Sequence, residues 1–213
     1  LYSILRPARS VGGDLYYFQQ VANKLHFIIG DVSDKGVPAA LFMAKTVTLY
    51  TGALDDDLSP GDTLSRMNHA LVKNNEACMF VTALCGSLNL DTGALTMANA
   101  GHMHPLQKTL DSSGDLLVDG GLALGLMEDI EYPNVMHRLA PGTSLLMYTD
   151  GISEAFNPDG EQYQEERLVT LVAQAEQQDA EALGATVIAD VEAFVDSAEQ
   201  SDDITLMVIR YES

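Results

Sequence analysis

Basic residues are scarce in this sequence. The 213 residues include 11 Lys and Arg against 31 Asp and Glu, which gives a net charge of −20 at pH 7. A surface with so much negative charge repels phosphate backbones and anionic lipid headgroups. The sequence also has no apolar run approaching the ~18 residues that a membrane helix needs. Both features argue against a nucleic-acid partner and against membrane contact by this chain.

Cysteine and linker-like segments are also scarce. Only Cys78 and Cys85 occur, both within apolar stretches, so a disulfide framework is excluded and two buried free thiols in a reducing cytoplasm are predicted. No repeat or Gly/Ser/Pro linker divides the chain, which predicts one domain over residues 1–213. The chain opens LYSILRPARS, without an initiator Met or a signal pattern. We expect the domain to be the C-terminal part of a longer cytoplasmic protein.

Apolar periodicity predicts strands towards both ends of the chain and helices between them. Strands are predicted at 14–20, 24–31, 79–90, 94–100, around 115–118 and 134–139, and at 144–149 and 204–211. Helices are predicted at 37–52, from Pro60 onwards after Ser59 as cap, and near 163–177 and 179–196. This order of elements indicates an α+β fold in which helices pack on antiparallel sheets.

Aspartates stand at the ends of four predicted strands, where this residue is uncommon. Asp14 begins the first strand and Asp31 ends the second, while Asp150 follows the strand at 144–149 and Asp202-Asp203 precede the last. In an antiparallel hairpin the start of one strand lies beside the end of its partner. Asp14 and Asp31 are therefore predicted to share a sheet edge, and so are Asp150 and Asp202 if their strands pair antiparallel.

Carboxylates that converge in this way need a cation. Two of them ~4 Å apart repel by about 4 kcal/mol at an effective dielectric constant of about 20. One would have to take up a proton unless a metal ion neutralised the pair. Oxygen ligands without His or Cys select hard ions such as Mg²⁺ or Mn²⁺. The pattern thus favours a metal site over a set of unrelated turn and cap aspartates, without defining its chemistry.

Five stretches of the chain, taken in order, resemble the SpoIIE-type branch of the metal-dependent protein phosphatases, the bacterial relatives of protein phosphatase 2C. They are RPARSVGGDLYYF (6–18), GDVSDKGVPAALFMA (30–44), FVTALCGSLNLDTGALTMANAGHMHPL (80–106), LLMYTDGISEAFNPDGEQYQEERL (145–168) and SDDITLMVIR (201–210). The resemblance covers nearly the whole chain. It implies a β-sandwich of two antiparallel sheets flanked by helix pairs.

The resemblance also implies roles for individual residues. Asp31 looks like the carboxylate that bridges two metal ions, and Val32 would offer its main-chain carbonyl to the second ion. Asp150 and Asp202 match ligands of the first ion, and Asp14 matches the residue that holds metal-bound water. Asp203 would then support the ligands without binding a metal ion itself. A shift of the alignment by one residue, which would exchange the roles of Asp202 and Asp203, stays open.

The implied activity is that of a serine/threonine protein phosphatase that uses two Mn²⁺ or Mg²⁺ ions to activate water for in-line attack on phosphorus. The implied substrate is a small phosphorylated bacterial regulatory protein, such as an anti-sigma-factor antagonist. By the same resemblance the domain belongs to a signalling protein, with an upstream sensor or regulatory domain in the same chain and a possible homodimer.

Departures from the family pattern leave the general acid unassigned. Eukaryotic members carry His where this chain has Ser33, and Tyr163-Gln164 stands where an aromatic–Gly pair is usual. His102 and His104 could form a metal pair, although a structural or hydrogen-bonding role is favoured.

Two other functions stay open: a non-catalytic switch module of the same fold that binds a partner, and another two-metal hydrolase such as a nuclease, which the net charge disfavours.

Overall fold

The computed structural model describes residues 1–212 and divides them into two compact units. The terminal unit comprises Leu1–Arg9, Met103–Leu117 and Ala140–Glu212, and the central unit comprises Ser10–His102 and Val118–Leu139. Each unit contains one β-sheet with helices packed against it. The prediction of a single domain over residues 1–213 stays a prediction.

The described residues form strands and helices in an order that agrees with the α+β prediction. The strands are β1 (Tyr2–Arg6), β2 (Leu15–Val21), β3 (Lys24–Val32), β4 (Val81–Asn89), β5 (Ala94–Ala100), β6 (Leu106–Lys108), β7 (Ser113–Asp115), β8 (Gly120–Gly121), β9 (Val135–Arg138), β10 (Ser144–Tyr148) and β11 (Ile204–Arg210). The helices are α1 (Val37–Leu54), α2 (Pro60–Val72), α3 (Asp150–Ser153), α4 (Glu165–Gln174) and α5 (Ala180–Val195).

The sheet of the central unit has the strand order β2-β3-β4-β5-β8, with β9 also paired to β5. All its pairings are antiparallel except the short β5–β8 contact. The first hairpin runs in register from Leu15 opposite Gly30 to Val21 opposite Lys24. Its turn has two residues and not the three predicted, because Val21 still pairs, and Ala22 adopts a left-handed φ of 52°.

Helix α2 packs on this sheet through the apolar face that the sequence predicts. The face predicted for α1 is wrong: Val37 and Leu41, whose helical spacing indicated the buried side, are exposed, and α1 packs on the sheet through another face. The Ser59 side chain accepts a hydrogen bond from the Asp62 N–H and so caps α2, with Pro60 in its first turn. The residues that the two helices contribute to the core are fully or nearly fully buried: Ala39, Phe42, Tyr50, Leu64, Met67 and Leu71. Burial of these side chains holds the helix pair directly after the strand that carries Asp31.

The prediction that no apolar run approaches the length of a membrane helix needs a correction for helix α1. It has 18 residues with a mean hydropathy of 1.2, so by length and composition alone it could cross a membrane. No continuous apolar run is seen in the sequence because Lys45 and three threonines interrupt it. A core helix of a soluble protein meets the same limits, and α1 packs on β2, β3 and α2. The helix is therefore weak evidence for a membrane span.

The sheet of the terminal unit has the strand order β1-β11-β10-β6-β7 and is antiparallel throughout. Strands β10 and β11 are buried along almost their whole length, as their continuous apolar sequences predict. Strand β1 pairs with β11 from Tyr2 opposite Val208 to Arg6 opposite Ile204. It was not predicted from the sequence, because all five of its residues are half-buried and show no apolar alternation.

Two polar contacts attach α4 to its surroundings in the terminal unit. The Arg167 guanidinium lies 5.0 Å from the Tyr163 ring and 4.8 Å from the Phe194 ring, and it donates two hydrogen bonds to the Asp190 carboxylate. The buried Lys108 ammonium donates to the Val172 and Ala173 carbonyls near the end of α4. This contact satisfies carbonyls that have no partner within the helix.

The prediction of two buried thiols is correct for only one cysteine. Cys85 lies in the core on β4, and burial raises its pKa to about 12. Cys78 is exposed, because it lies in the turn before β4, where its φ is 51° and its N–H donates to the Asn75 carbonyl. Both thiols are free.

Candidate functional site

The central unit brings Asp14 and Asp31 together at one sheet edge. Asp14 directly precedes β2 and Asp31 is the penultimate residue of β3. Because Leu15 pairs with Gly30, the residue before Leu15 lies beside the residue after Gly30. Asp14 is 2% exposed and Asp31 is half-buried. Asp14 and Asp31 therefore lie side by side, as the hairpin predicts.

Glycines let the main chain approach closely around this pair. A Cβ atom on Gly13 would lie 2.9 Å from the Val32 carbonyl oxygen, and one on Gly30 would lie 2.4 Å from the Thr82 carbonyl oxygen. Any other residue at these positions would force the strands apart. The glycines therefore hold the segment Asp31-Val32 against the segment that carries Asp14.

The terminal unit brings Asp150 and Asp202 to one edge of its sheet. Strands β10 and β11 pair antiparallel up to Tyr148 opposite Leu206, and the Thr149 N–H donates to the Thr205 carbonyl at 3.1 Å. The condition on which this prediction depended, an antiparallel pairing, is met. Asp150 begins α3 directly after β10, so the structure adds a helical turn that the sequence pattern did not predict.

Gly151 makes the approach of these two segments possible. A Cβ atom on Gly151 would lie 1.9 Å from the Asp203 carbonyl oxygen and 3.5 Å from the Asp202 carbonyl carbon. No side chain fits at the first of these distances. The main chain that follows Asp150 is therefore packed directly against the main chain of Asp202 and Asp203.

Asp202 and Asp203 differ in their surroundings. The buried Asp203 carboxylate accepts a hydrogen bond from the Ala8 N–H at 2.8 Å, which ties the segment after β1 to the start of β11. The half-buried Asp202 carboxylate accepts a hydrogen bond from the Asp203 N–H at 2.9 Å. The contact with Ala8 gives Asp203 a structural role, and the assignment of Asp202 as the metal ligand stays a prediction.

Ser33 and His102 lie near Asp31 in the central unit. The Ser33 hydroxyl accepts a hydrogen bond from the Phe80 N–H at 2.9 Å, so it ties the end of β3 to the segment before β4. His102 Nδ1 lies 3.0 Å from the hydroxyl of Thr82, the residue opposite Asp31. Ser33 thus holds the main chain in the position where eukaryotic relatives carry His.

Asn99 holds His102 in place. Its side chain accepts a hydrogen bond from the His102 N–H at 2.7 Å and donates to the His102 carbonyl at 2.9 Å. These contacts agree with the hydrogen-bonding role favoured for His102. Asn99 was not predicted as a site residue. The signal that could have indicated it is its place in the stretch NAGH (99–102), which belongs to the segment that resembles the family.

Metal binding can be tested against the donor atoms that each unit offers. Over residues 1–212, neither unit gathers three or more His, Cys, Asp and Glu side chains closely enough to hold a metal ion. Each sheet edge instead presents two predicted carboxylates beside close main-chain packing. The donors are carboxylate and carbonyl oxygens, which fit Mg²⁺ or Mn²⁺ and not zinc.

Two buried ionisable side chains, Tyr148 and Cys85, are held in their neutral forms. Burial, reinforced by Glu165, raises the pKa of Tyr148 well above its usual range, so the phenol stays protonated near neutral pH. Cys85 likewise stays a neutral thiol because burial raises its pKa to about 12. A thiol or phenol held in its neutral form is a poor nucleophile. Neither Tyr148 nor Cys85 is therefore a candidate nucleophile.

Comparisons with known proteins identify the family and the fold of the chain. Residues 22–212 match the family model described as Stage II sporulation protein E (SpoIIE). Phosphoserine phosphatase RsbU of Bacillus subtilis (strain 168) is 30% identical over 157 residues, which cover 72% of this chain and 46% of that protein. The chain spans less than half the length of the curated relatives it matches, at 46%, 37% and 39%.

Solved structures show the same fold. The SiaA-PP2C domain of Pseudomonas aeruginosa gives a TM-score of 0.86 at 21% identity, over 99% of this chain and 85% of that one. RsbX in complex with magnesium gives 0.70 at 15% identity, over 97% and 91%. The first likeness confirms the predicted α+β fold of the protein phosphatase 2C type. Since the family model matches almost the entire chain, the chain belongs to the family described as Stage II sporulation protein E (SpoIIE).

Proposed function

We propose that this chain is the catalytic domain of a metal-dependent serine/threonine protein phosphatase. The observation that carries the proposal is the placement of an aspartate pair at one strand edge of each unit, in a chain that matches the SpoIIE family over residues 22–212. RsbU, which is 30% identical, is named a phosphoserine phosphatase. The name supports hydrolysis of a phosphomonoester on a protein side chain.

The residues that would hold the metal ions are Asp14, Asp31, Asp150 and Asp202, together with the main-chain carbonyl of Val32. Their donor set is all oxygen, which suits two Mn²⁺ or Mg²⁺ ions, and the magnesium complex of RsbX supports the choice of ion class. When bound, two such ions would lower the pKa of a water molecule and neutralise charge on the phosphoryl oxygens.

The chain's own residues would keep these ligands in position. Gly13, Gly30 and Gly151 permit the close main-chain packing beside the aspartates. Asp203 would hold the start of β11 through its contact with the Ala8 N–H. No described residue stands out as the acid that protonates the leaving serine or threonine oxygen, because the Ser33 hydroxyl accepts the Phe80 N–H and lies in the place of the eukaryotic His.

The proposed substrate is a small phosphorylated regulatory protein, of the class of the anti-sigma-factor antagonists. We further propose that the chain belongs to a longer cytoplasmic signalling protein with an upstream sensor or regulatory domain and a possible homodimer. The relatives support a longer protein, since the chain spans less than half of their length. The net charge of −20 supports the absence of nucleic-acid and membrane contact.

The test measures phosphate release from phosphoserine and phosphothreonine peptides by the purified chain, with and without Mn²⁺. Asp31→Asn and Asp150→Asn should each lower the Mn²⁺-dependent rate by more than about a hundredfold. Such a loss exceeds the one expected when a residue that only contacts a metal ligand is removed. Their melting temperatures should stay equal or rise, because the substitution relieves repulsion between neighbouring carboxylates. Isothermal titration with Mn²⁺ should show weakened binding. Asp119→Asn, at an exposed position away from both edges, is the matched control.

Three outcomes separate the alternatives. A chain that binds Mn²⁺ but hydrolyses neither peptide would favour a partner-binding switch module. Faster hydrolysis of a phosphodiester than of either phosphopeptide would favour another two-metal hydrolase. Gross unfolding of both aspartate variants, with Asp119→Asn intact, would show that these aspartates serve the fold and contradict the proposal.

A further inference from the structure

The terminal unit contains a cleft that the proposed chemistry does not use. Its volume is about 160 Å³, well below the ~300–1,000 Å³ of pockets that hold whole cofactors or drug-sized ligands. Its lining includes the apolar side chains of Ala155, Phe156 and Val195. Phe156 is 39% exposed, so part of its ring has no cover from the described residues. A cleft of this size suits one long side chain.

The rim of the cleft is acidic, and it lies at the end of a helix where acids are unfavourable. Helix α5 ends at Val195, and the cleft is lined by Glu192 and Asp196 at that end and by Glu199 beyond it. The carbonyl end of a helix carries partial negative charge and is stabilised by cations. The last turn of α5 has no basic residue. The arrangement therefore costs stability unless a cation lies close by.

Only part of this negative charge is compensated within the unit. Arg6 lines the same cleft and pairs with Glu192, and the Gln200 side chain donates to the Arg6 carbonyl. Among residues 1–212 no ion pair involves Asp196 or Glu199. The cleft already contains the Arg6 guanidinium. The exposed carboxylates of Asp196 and Glu199 can bind a second cation.

The position of the cleft relates it to the proposed reaction. Gly151 and Ser201 both line it, and each directly adjoins a predicted metal ligand, Asp150 or Asp202. An extended peptide advances about 3.3 Å per residue. A side chain within a few residues of a phosphoserine held at that edge would therefore reach the cleft.

We propose that this cleft is a substrate subsite that receives an arginine or lysine side chain a few residues from the phosphorylated serine or threonine. The inference rests on the proposed function. The aliphatic stem of the side chain packs on Phe156 and Val195, and the cationic head faces Asp196 and Glu199. The subsite would select substrates that have a basic residue near the phosphorylated side chain. The negative charge of the whole surface does not select such a sequence.

The experiment uses phosphoserine peptides with an alanine background. One position at a time, from three before to three after the phosphoserine, carries Arg, norleucine or Glu. With Mn²⁺ and the unaltered chain, kcat/KM for Arg should exceed that for norleucine by about fivefold at one position, as expected for partly exposed charge pairs. In a variant with Asp196→Asn and Glu199→Gln the ratio should fall to about one. Asparagine has nearly the same shape as aspartate, so Asp196→Asn removes the charge and leaves the side-chain volume almost unchanged.

Two further variants make the test specific. Glu199→Lys should reverse the order, so that the Glu peptide becomes better than the Arg peptide at the same position. A control variant with Glu176→Gln and Glu181→Gln changes the net charge equally, at exposed positions outside the cleft, and should keep the preference for Arg.

The outcomes distinguish the subsite from the phosphatase activity. Hydrolysis of all peptides with no preference for Arg, or a preference that survives in the Asp196/Glu199 variant as in the control, overturns the subsite and leaves the phosphatase standing. Failure of the unaltered chain to hydrolyse any phosphopeptide with Mn²⁺ overturns both.

Discussion

Glycine at position 151 permits an approach between two chain segments that every other residue would prevent. The main chain after Asp150 lies against the Asp203 carbonyl, at a distance of 1.9 Å from where a Cβ atom would be. Gly13 has the same task beside Val32 in the central unit. The aspartates are the residues expected to do chemistry, but the glycines next to them decide where the carboxylates lie.

Gly151→Ala should destabilise the chain by about 3 kcal/mol or more, because the methyl group overlaps the Asp203 carbonyl oxygen and the sheet edge must shift. Urea unfolding of the variant and the unaltered chain measures this difference. Gly114→Ala in the same unit is the control, since a Cβ atom there meets nothing within 4 Å. Equal stability of the two variants would contradict the close packing at position 151.

Helix α4 begins after a residue in an unfavourable conformation. Gln164, the residue before the helix, has φ 68° and ψ 151°, a region occupied almost only by glycine. Relatives usually carry glycine after the aromatic residue at this point, so the departure noted in the sequence coincides with backbone strain. The element is held in place elsewhere, by the Arg167–Asp190 pair and by Lys108.

Gln164→Gly should therefore raise the free energy of unfolding by about 1 kcal/mol, the relieved strain being partly offset by the greater freedom of glycine in the unfolded chain. For a chain of this length the melting temperature should rise by about 2–4 °C. Differential scanning calorimetry measures both quantities. Gln164→Ala keeps the side-chain penalty and should gain nothing, and an equal gain for alanine would refute the role of strain.

Strand β3 carries a histidine that makes stability depend on pH. Burial lowers the pKa of His26, the Lys24 ammonium lowers it further, and Asp57 opposes them. The unfolded chain has the ordinary value of about 6.5, so it binds more protons than the folded chain just below that pH. The stability that neutral His26 provides is present above pH ~6.5 and is lost as the pH falls through that value towards the folded pKa.

The comparison of the unaltered chain with His26→Gln isolates this effect. Urea unfolding at three pH values between about 7.5 and 5.5 should show the unaltered chain losing stability faster than the variant as the pH falls. The other four histidines are common to both proteins and cancel in the difference. A difference that is independent of pH would show that His26 titrates alike in the folded and unfolded states.

At the scale of the whole molecule the dominant feature is charge. A net charge of −20 on 213 residues causes self-repulsion in the folded chain. Monovalent salt screens this repulsion over a Debye length that falls from about 30 Å at 0.01 M to about 3 Å at 1 M. The folded chain should therefore be more stable at high ionic strength, in contrast to a protein held by surface ion pairs.

Raising NaCl from about 0.02 M to about 0.5 M should raise the melting temperature by about 3 °C or more. Choline chloride at the same ionic strength should give the same rise, because the effect is screening and not sodium binding. Scanning fluorimetry gives the measurement. A melting temperature that falls with salt would show that local ion pairs, such as Arg167–Asp190, outweigh the general repulsion.

Much of the architecture could be predicted from local patterns. The apolar run that ends at Asp31, the Ser59-Pro60 cap and the helical spacing in α1 depend on neighbours within a few residues, so the sequence alone located these elements. The sequence did not locate the buried face of α1, because the partners of that helix lie elsewhere in the chain. Strand β1 and the turn of α3 were not predicted, because β1 is defined by its partner β11 and α3 by the close contact of Gly151 with Asp203.

The sequence by itself determined the fold class, the family and which aspartates to consider, because strand-end carboxylates and motif order can be read along the chain. Only the tertiary structure decided that β10 pairs antiparallel with β11, that Asp203 accepts the Ala8 N–H, that Cys78 is exposed and that an acidic cleft adjoins Gly151. Each of these depends on contacts between residues far apart in the chain. Such contacts are set by packing, which has no local signature in sequence.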